Sequence, residues 1–218
     1  MIIGIVGLIG SGKGTVGDIL EETYGFKKQQ FAGSLKDAAS SIFNWPRHLL
    51  EGDTPESRAW RKKKDVYWSE ALGKDMSPRY AMQLLGTEAG RQVFGDDLWP
   101  TTVKARIDSD KLNLDHVITD VRFPNEIEAI RKWKGSVYRI RRGDEPKWYR
   151  IAEIQNTQPK SITVKVGKTM ENLHPDIHRS EWAWIGQEFD GIIENDGTKT
   201  DLKNTIETLF SDISKNKT

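Results

Sequence analysis

Cysteine is absent from the 218 residues, which excludes disulfides, thiolate catalysis and cysteine-built zinc sites and fits a reducing compartment. The four histidines are scattered and make no metal-binding cluster. No apolar run approaches the length of a membrane span, and the chain opens on an apolar strand with no basic-then-apolar leader. A soluble cytoplasmic protein without a membrane partner is expected. Charge of one sign is missing too: 33 basic and 32 acidic residues leave a net charge of +1. Nothing therefore draws the whole surface to nucleic acid, and any anion site must be local.

Aromatic residues are plentiful, with 8 Trp and 5 Tyr; they serve core packing or stack on a flat ligand ring. The most informative stretch is Gly7-Leu8-Ile9-Gly10-Ser11-Gly12-Lys13-Gly14-Thr15, directly after the apolar run Ile2-Ile3-Gly4-Ile5-Val6. Gly7, Gly12 and Lys13 meet the pattern G-x-x-x-x-G-K between a strand and a helix. Glycines there let backbone N–H groups converge on phosphate while the helix dipole faces the same cavity. Gly10, Ser11, Gly12, Lys13, Gly14 and Thr15 are the expected ATP contacts. Gly14 stands where many such loops place Ser or Thr, so Thr15 is the candidate for a phosphate contact or a Mg²⁺-shell contact, the latter directly or through water.

Helical spacing of Val16, Ile19, Leu20 and Tyr24 predicts a helix over Lys13 to Tyr24, with Gly25 as its stop. A short strand follows over Lys28 to Phe31, then a helix to about Phe43 with Lys36 and Asp37 in its first turn. Those two are equally well read as ligands at a strand's carboxyl end or as solvated charges. Residues 44–76 form an inserted helical segment, whose basic run Arg61 to Lys64 between Trp60 and Tyr67-Trp68 reads better as a solvated face than as a nucleic-acid contact.

Ser77-Pro78 starts the next helix, with Met82, Leu85, Ala89 and Val93 as its apolar stripe. Arg79, Gln83, Gly86 and Gly90 share a different face. Two interior glycines, each costing about 1 kcal/mol against alanine, call for close approach of a ligand or of another helix. Asp96 to Ser109 is helical, and Trp99 at its start is a stacking platform or a core anchor. His116 to Thr119 is a buried strand that delivers Asp120, with Arg122 and Glu126 four residues apart. Helix Glu126 to Lys134 and strand Val137 to Ile140 come next. Arg139, Arg141, Arg142, Lys147 and Arg150 then open a lid region over 141–177, in which alternating Ile162, Val164 and Val166 suggest a strand or hairpin arm. A last strand at Gly191 to Glu194, the turn Asn195-Asp196-Gly197 and a helix carrying Leu202, Ile206, Leu209, Phe210 and Ile213 close the chain, with a frayed tail from Lys215. The expected fold is one α/β domain over 1–218: a P-loop NTPase-type parallel sheet, right-handed, with helices on both faces.

Four stretches beyond the loop carry a resemblance: Phe31-Ala32-Gly33-Ser34-Leu35-Lys36-Asp37-Ala38, Arg79-Tyr80-Ala81-Met82-Gln83-Leu84-Leu85-Gly86-Thr87, Asp120-Val121-Arg122-Phe123-Pro124-Asn125-Glu126, and His178-Arg179-Ser180-Glu181 with Asn195-Asp196-Gly197. In order and spacing the chain resembles the bacteriophage deoxynucleoside monophosphate kinase family. That resemblance implies ATP as phosphoryl donor, Mg²⁺, a deoxynucleoside monophosphate as substrate, and a place in host cytoplasm if the gene is a phage's. It implies a deoxynucleotide site at Lys36, Arg79, Gly86, Thr87, Trp99, Asp120, Arg122 and Glu126, to which the Arg79 helix face adds Gln83. Lys13, Arg122 and Arg142 are the catalytic candidates, and Asn195 and Gly197 border the adenine or form a plain turn. Neither nucleic acid nor membrane is an expected partner, and monomer and homodimer both stay open. Three rivals remain: another small-molecule kinase of the same fold, such as one resembling dephospho-coenzyme A kinase, a nucleic-acid-stimulated NTPase, and a non-catalytic nucleotide-binding module.

Overall fold

The structure, a computed structural model, describes residues 1–158 and 169–215, the last five by backbone alone. The strand or hairpin arm expected at Ile162, Val164 and Val166 lies outside the described residues, as do residues 216–218 and the Ile213 side chain. Two compact units are present: Met1–Lys28 with Asn113–Thr218, and Gln29–Leu112.

The first unit is built on a five-stranded sheet, β1 (Ile2–Val6), β2 (Lys27–Gln29), β3 (His116–Val121), β4 (Ser136–Arg141) and β5 (Gly191–Glu194), in the order β2-β3-β1-β4-β5. β1 pairs in parallel with β3 and β4, and β4 with β5. The parallel P-loop NTPase-type sheet is thus observed, with its phosphate loop at the end of the central strand. β2 is shorter than expected and ends before Phe31. Alternation along β1 divides the packing between two faces. Ile3 and Ile5 join Val16, Ile19 and Leu20 of α1 (Lys13–Tyr24) and Leu202, Ile206 and Phe210 of the closing helix Lys199–Lys215 in one buried cluster. Gly4 faces the opposite way, and a Cβ there would lie 2.5 Å from Ile130 Cδ1. Gly25 ends α1 in the left-handed conformation at φ 70°, its N–H bonded to Glu21 O, as the stop signal predicts.

The second unit is helical: α2 (Gly33–Phe43), α3 (Pro55–Lys62), α4 (Val66–Leu72), α5 (Pro78–Gln83), a π-helical stretch Leu84–Arg91, α6 (Gln92–Phe94) and α7 (Leu98–Asp108). Side-chain caps fix the helix starts, with Thr54 Oγ1 accepting from Ser57 N at 3.1 Å, Asp65 from Trp68 N at 3.0 Å and Ser77 from Tyr80 N at 3.2 Å. The tryptophans of residues 44–76 pack inward, whereas Tyr67 is exposed. Trp45, Trp60 and Trp68 surround Ala39, Leu50 and Met76, and Trp45 Nε1 donates to Asp65 Oδ2 at 2.8 Å. Lys62, Lys63 and Lys64 face solvent while Trp60 faces the core.

The π-helical stretch corrects the pattern expected after Ser77. Its hydrogen bonds step five residues instead of four, which shifts the phase of every side chain beyond it. Met82 and Leu85 pack on the core, whereas Ala89 is exposed and Val93 is 70% exposed. The rest of the first unit comprises α8 (Pro124–Lys132), α9 (Tyr149–Thr157), α10 (Met170–Leu173) and α11, the closing helix Lys199–Lys215. α9 occupies part of the stretch expected to be a lid and carries Arg150 in its first turn.

Candidate active site

Gly12 adopts φ 103° at the start of α1, a left-handed conformation that glycine alone takes without strain. This turn brings Lys13 back over its own loop, where Nζ donates to Gly7 O at 2.7 Å and Leu8 O at 2.8 Å. Burial lowers the Lys13 pKa to about 8; the nearby Arg122 charge adds to the shift, while Glu181 and Asp120 oppose it. Ser11 is buried, and its hydroxyl has no hydrogen-bond partner among the described residues.

The end of β3 supplies the neighbouring groups. Between Gly4↔Ile118 and Val6↔Val121 the register slips by one residue, so β3 bulges at Thr119-Asp120. Bulges re-aim side chains near sites, and Asp120 acts on the Lys13 charge. Arg122 Nη1 donates to Glu181 Oε1 at 2.6 Å and to Ser180 Oγ at 3.4 Å, while Ser180 N donates to His178 Nδ1 at 3.2 Å. Burial alone would lower the Arg122 pKa, but the contact with Glu181, helped by Asp120 and Glu126, outweighs it and raises the pKa above its ordinary value. Glu126 is placed differently from the sequence expectation. Its buried carboxylate Oε2 accepts from the backbone N–H of Arg122 at 2.8 Å and of Phe123 at 3.1 Å, closing the first turn of α8. It holds Arg122 rather than presenting a free edge to a base. Glu181 was not among the expected site residues. The only sign of it in the sequence is its place in the His178–Glu181 stretch of the resemblance.

The arginines after β4 separate by partner. Arg139 pairs with Glu145, lies 4.9 Å from the Tyr149 ring centroid and 5.3 Å from that of Trp184, and so anchors the segment. Arg141 pairs across the strands with Glu194 at 2.6 Å, and Arg150 pairs with Glu153. Arg142 is exposed and makes no ion pair with a described residue. A cavity of about 420 Å³ beside the loop is lined by Ser11, Arg142, Asp144, Trp148, Ile177 and Glu181, among others. Asn195 and Gly197 sit in the turn after β5, and Asn195 is buried against the loop, its Nδ2 donating to Ser11 O at 2.8 Å.

In the second unit the candidate residues divide again. Lys36 is buried, not a solvated charge. Its Nζ donates to Gln30 Oε1 and Glu51 Oε2, both at 2.6 Å, and Glu51 also pairs with Arg47. Asp37 accepts from Arg47 at 2.7 Å and Arg106 at 3.0 Å. Gly86 and Gly90 are packing glycines. A Cβ on Gly90 would lie 2.7 Å from the Trp99 ring, a Cβ on Gly86 would lie 3.0 Å from Leu35 Cδ2, and Trp99 Nε1 donates to Gly86 O at 3.0 Å. Trp99 is therefore a packing anchor at that edge. Arg79 and Gln83 on α5 are half-buried, and Thr87 is exposed.

Among the described residues no group of three or more His, Cys, Asp or Glu is placed to hold a metal ion, and no helix is long and apolar enough to cross a membrane. Among the described residues the oxygen-bearing side chains in or near the loop are Ser11, Thr15, Asp120 and Glu181. That short set suits an ion such as Mg²⁺, which keeps several waters and takes most other ligands from phosphate.

No family model matches the chain. Over 88 residues it is 36% identical to a deoxynucleoside-5'-monophosphate kinase of Escherichia phage T5, covering 40% of this chain and 33% of that protein. Over 191 residues it is 26% identical to a protein of Acanthamoeba polyphaga mimivirus provisionally named deoxynucleotide monophosphate kinase, covering 81% and 94%. The match thus spans a third of the phage relative and nearly all of the mimivirus one. Among solved structures, a Campylobacter jejuni dephospho-CoA kinase aligns at 16% identity and TM-score 0.43 over 97% of this chain and 96% of that one. An Aquifex aeolicus shikimate kinase aligns at 12% and 0.42 over 98% of each. The resemblance carried by the motifs is thus matched by two viral relatives with deoxynucleotide kinase names.

Proposed function

We propose that the protein transfers the γ-phosphoryl group of ATP to the 5′-phosphate of a deoxynucleoside monophosphate. The observation that carries this reading is the cluster of a loop lysine, Lys13, with Asp120 and Arg122 at the end of β3 and Glu181 paired to Arg122, beside Arg142, which makes no ion pair with a described residue. Transfer between two anions calls for a cation toward each, and Lys13 on the loop and Arg122 at the end of β3 can supply one apiece.

In the proposed reaction an oxygen of the acceptor phosphate forms a bond to the γ-phosphorus as the bond to the β–γ bridging oxygen breaks, releasing ADP. No covalent enzyme intermediate is needed, so the protein's part is alignment and charge stabilisation. Loop N–H groups and the Lys13 ammonium bind the donor's β and γ phosphates. Arg122, held by Glu126 and Glu181, receives the acceptor phosphate, and Arg142 offsets charge on the transferring group. Mg²⁺, which Thr15 and Asp120 could hold directly or through water, would neutralise donor phosphate charge when bound. For the second unit by itself, the resemblance implies nucleotide contacts at Lys36, Arg79, Gly86, Thr87 and Trp99, with Gln83 on the same helix as Arg79; a phosphate at Lys36 would have to displace Glu51 from its Nζ.

The test is a coupled assay of ADP formation with ATP against every deoxy and ribo monophosphate, with product identified by chromatography. Diphosphate from one or more deoxynucleotides is expected. No diphosphate from any of them, or turnover only with a hydroxyl acceptor such as dephospho-coenzyme A, would sink the proposal.

A further inference from the structure

The turn Asn195-Asp196-Gly197 was expected to border the adenine of ATP or to be a plain turn, and the contacts of Asn195 give it a further part. Asn195 is buried, 7% exposed, and its side chain runs toward the phosphate loop, not toward an open base site. Its Nδ2 donates to Ser11 O at 2.8 Å. A carbonyl only accepts, so the amide nitrogen must be the atom facing it, and the orientation of the amide is settled by that partner. The base of the turn is fixed as well. Asn195 N donates to Arg141 O at 2.9 Å, and Asp196 Oδ1 accepts from Gly143 N at 2.6 Å. Asn195 therefore reaches the loop from a support tied at both ends to the segment after β4.

The consequence lies in the peptide that Asn195 holds. The Ser11–Gly12 bond is trans, as are the peptide bonds of the described residues, and a trans peptide carries its C=O and N–H on opposite edges of one plane. Holding the Ser11 carbonyl toward Asn195 turns the Gly12 N–H the other way, as a donor for an anion in the loop. Gly12 at φ 103° is free to let this peptide flip, because glycine populates both signs of φ about equally. The same closeness explains why position 12 takes no side chain: a Cβ there would collide with Asn195 Nδ2.

We infer that Asn195 is a positioning residue that locks the Ser11–Gly12 peptide with its N–H presented to phosphate, and that it does not read the base. The inference rests on the reading of the loop as a nucleoside triphosphate site. Its test compares ATP with inorganic tripolyphosphate, which carries the phosphates without a base, by titration calorimetry on the full chain. Asn195→Asp keeps the shape but sets an acceptor against the Ser11 carbonyl, and Asn195→Ser shortens the side chain out of reach. Both variants are expected to weaken ATP and tripolyphosphate by the same factor, about tenfold for one lost charge-assisted hydrogen bond. The KM for the monophosphate acceptor should not change. Loss of ATP affinity with tripolyphosphate unaffected would overturn the inference in favour of a base contact, and unchanged affinity for both would overturn any role. Thermal unfolding identifies a variant that fails to fold, in which case the other decides. Wild-type protein that binds neither ligand would instead overturn the triphosphate reading, and the inference with it.

Discussion

Raising the pH from 7.5 to 9 is expected to weaken triphosphate binding about eightfold through one group, Lys13. Its pKa lies at about 8 in the free protein because the ammonium is buried and sits near Arg122. With that value roughly three quarters of the molecules carry the charge at pH 7.5 and about a tenth at pH 9. A bound polyphosphate favours the charged form and draws the pKa up again, so binding above pH 8 must take up a proton. At pH 8 the uptake is about half a proton per site. It is measured from calorimetric heats in two buffers of different ionisation enthalpy. Stability moves the other way. The unfolded lysine keeps its ordinary pKa of 10.5, so between pH 8 and 10.5 the unfolded chain holds more protons and folding gains with rising pH. That gain is about 1 kcal/mol from pH 7.5 to 9. Opposite trends in affinity and stability therefore separate titration of Lys13 from loss of fold, and Lys13→Met should abolish both slopes along with tight binding. Flat wild-type affinity across this range would refute the claim that a buried, titrating Lys13 supplies the loop's charge.

Arg142→Ala should lower kcat by about 10² while leaving ATP affinity within about twofold, as expected for a cation used mainly in the transition state. Arg139→Ala should instead lower the melting temperature, since Arg139 is committed to Glu145 and to the Tyr149 and Trp184 rings. Glu126→Ala removes the acceptor for two backbone N–H groups and should cost about 1–2 kcal/mol in urea unfolding, with acceptor KM raised through the loosened Arg122; unchanged stability would contradict the capping role. Gly90→Ala, which on helix propensity alone should stabilise by up to about 1 kcal/mol, should destabilise by roughly 1–3 kcal/mol because its Cβ meets the Trp99 ring.

Local chemistry made the phosphate loop readable. Gly7 to Lys13 follows an apolar strand and opens a helix, and those constraints lie within about fifteen residues of chain, as do the stop at Gly25 and the cap at Ser77. Parallel strands alternating with helices followed from patterning, because each element must bury one face. Partner choice did not follow, because it is decided by residues distant in sequence. Arg139, Arg141, Arg142 and Arg150 look alike as a basic stretch, and only Glu145, Glu194 and Glu153 in space leave Arg142 without an ion pair among the described residues. Glu181 gained its place from a contact with Arg122 across 59 positions. The π-helical stretch at Leu84–Arg91 broke a pattern that assumes four-residue steps, and the glycine pair proved to serve Trp99 and Leu35. Asn195 is the clearest case: as a residue of an Asn-Asp-Gly turn it signals only a reversal, and its hold on the Ser11 carbonyl spans 184 positions. The sequence alone determined that a glycine-rich turn joins a buried strand to a helix at Gly7–Lys13, because backbone turn and strand context are local. Only the tertiary structure decided which charges serve it and what holds its peptides in place, because an ion pair or a buried amide is defined by what the fold brings within about 3 Å.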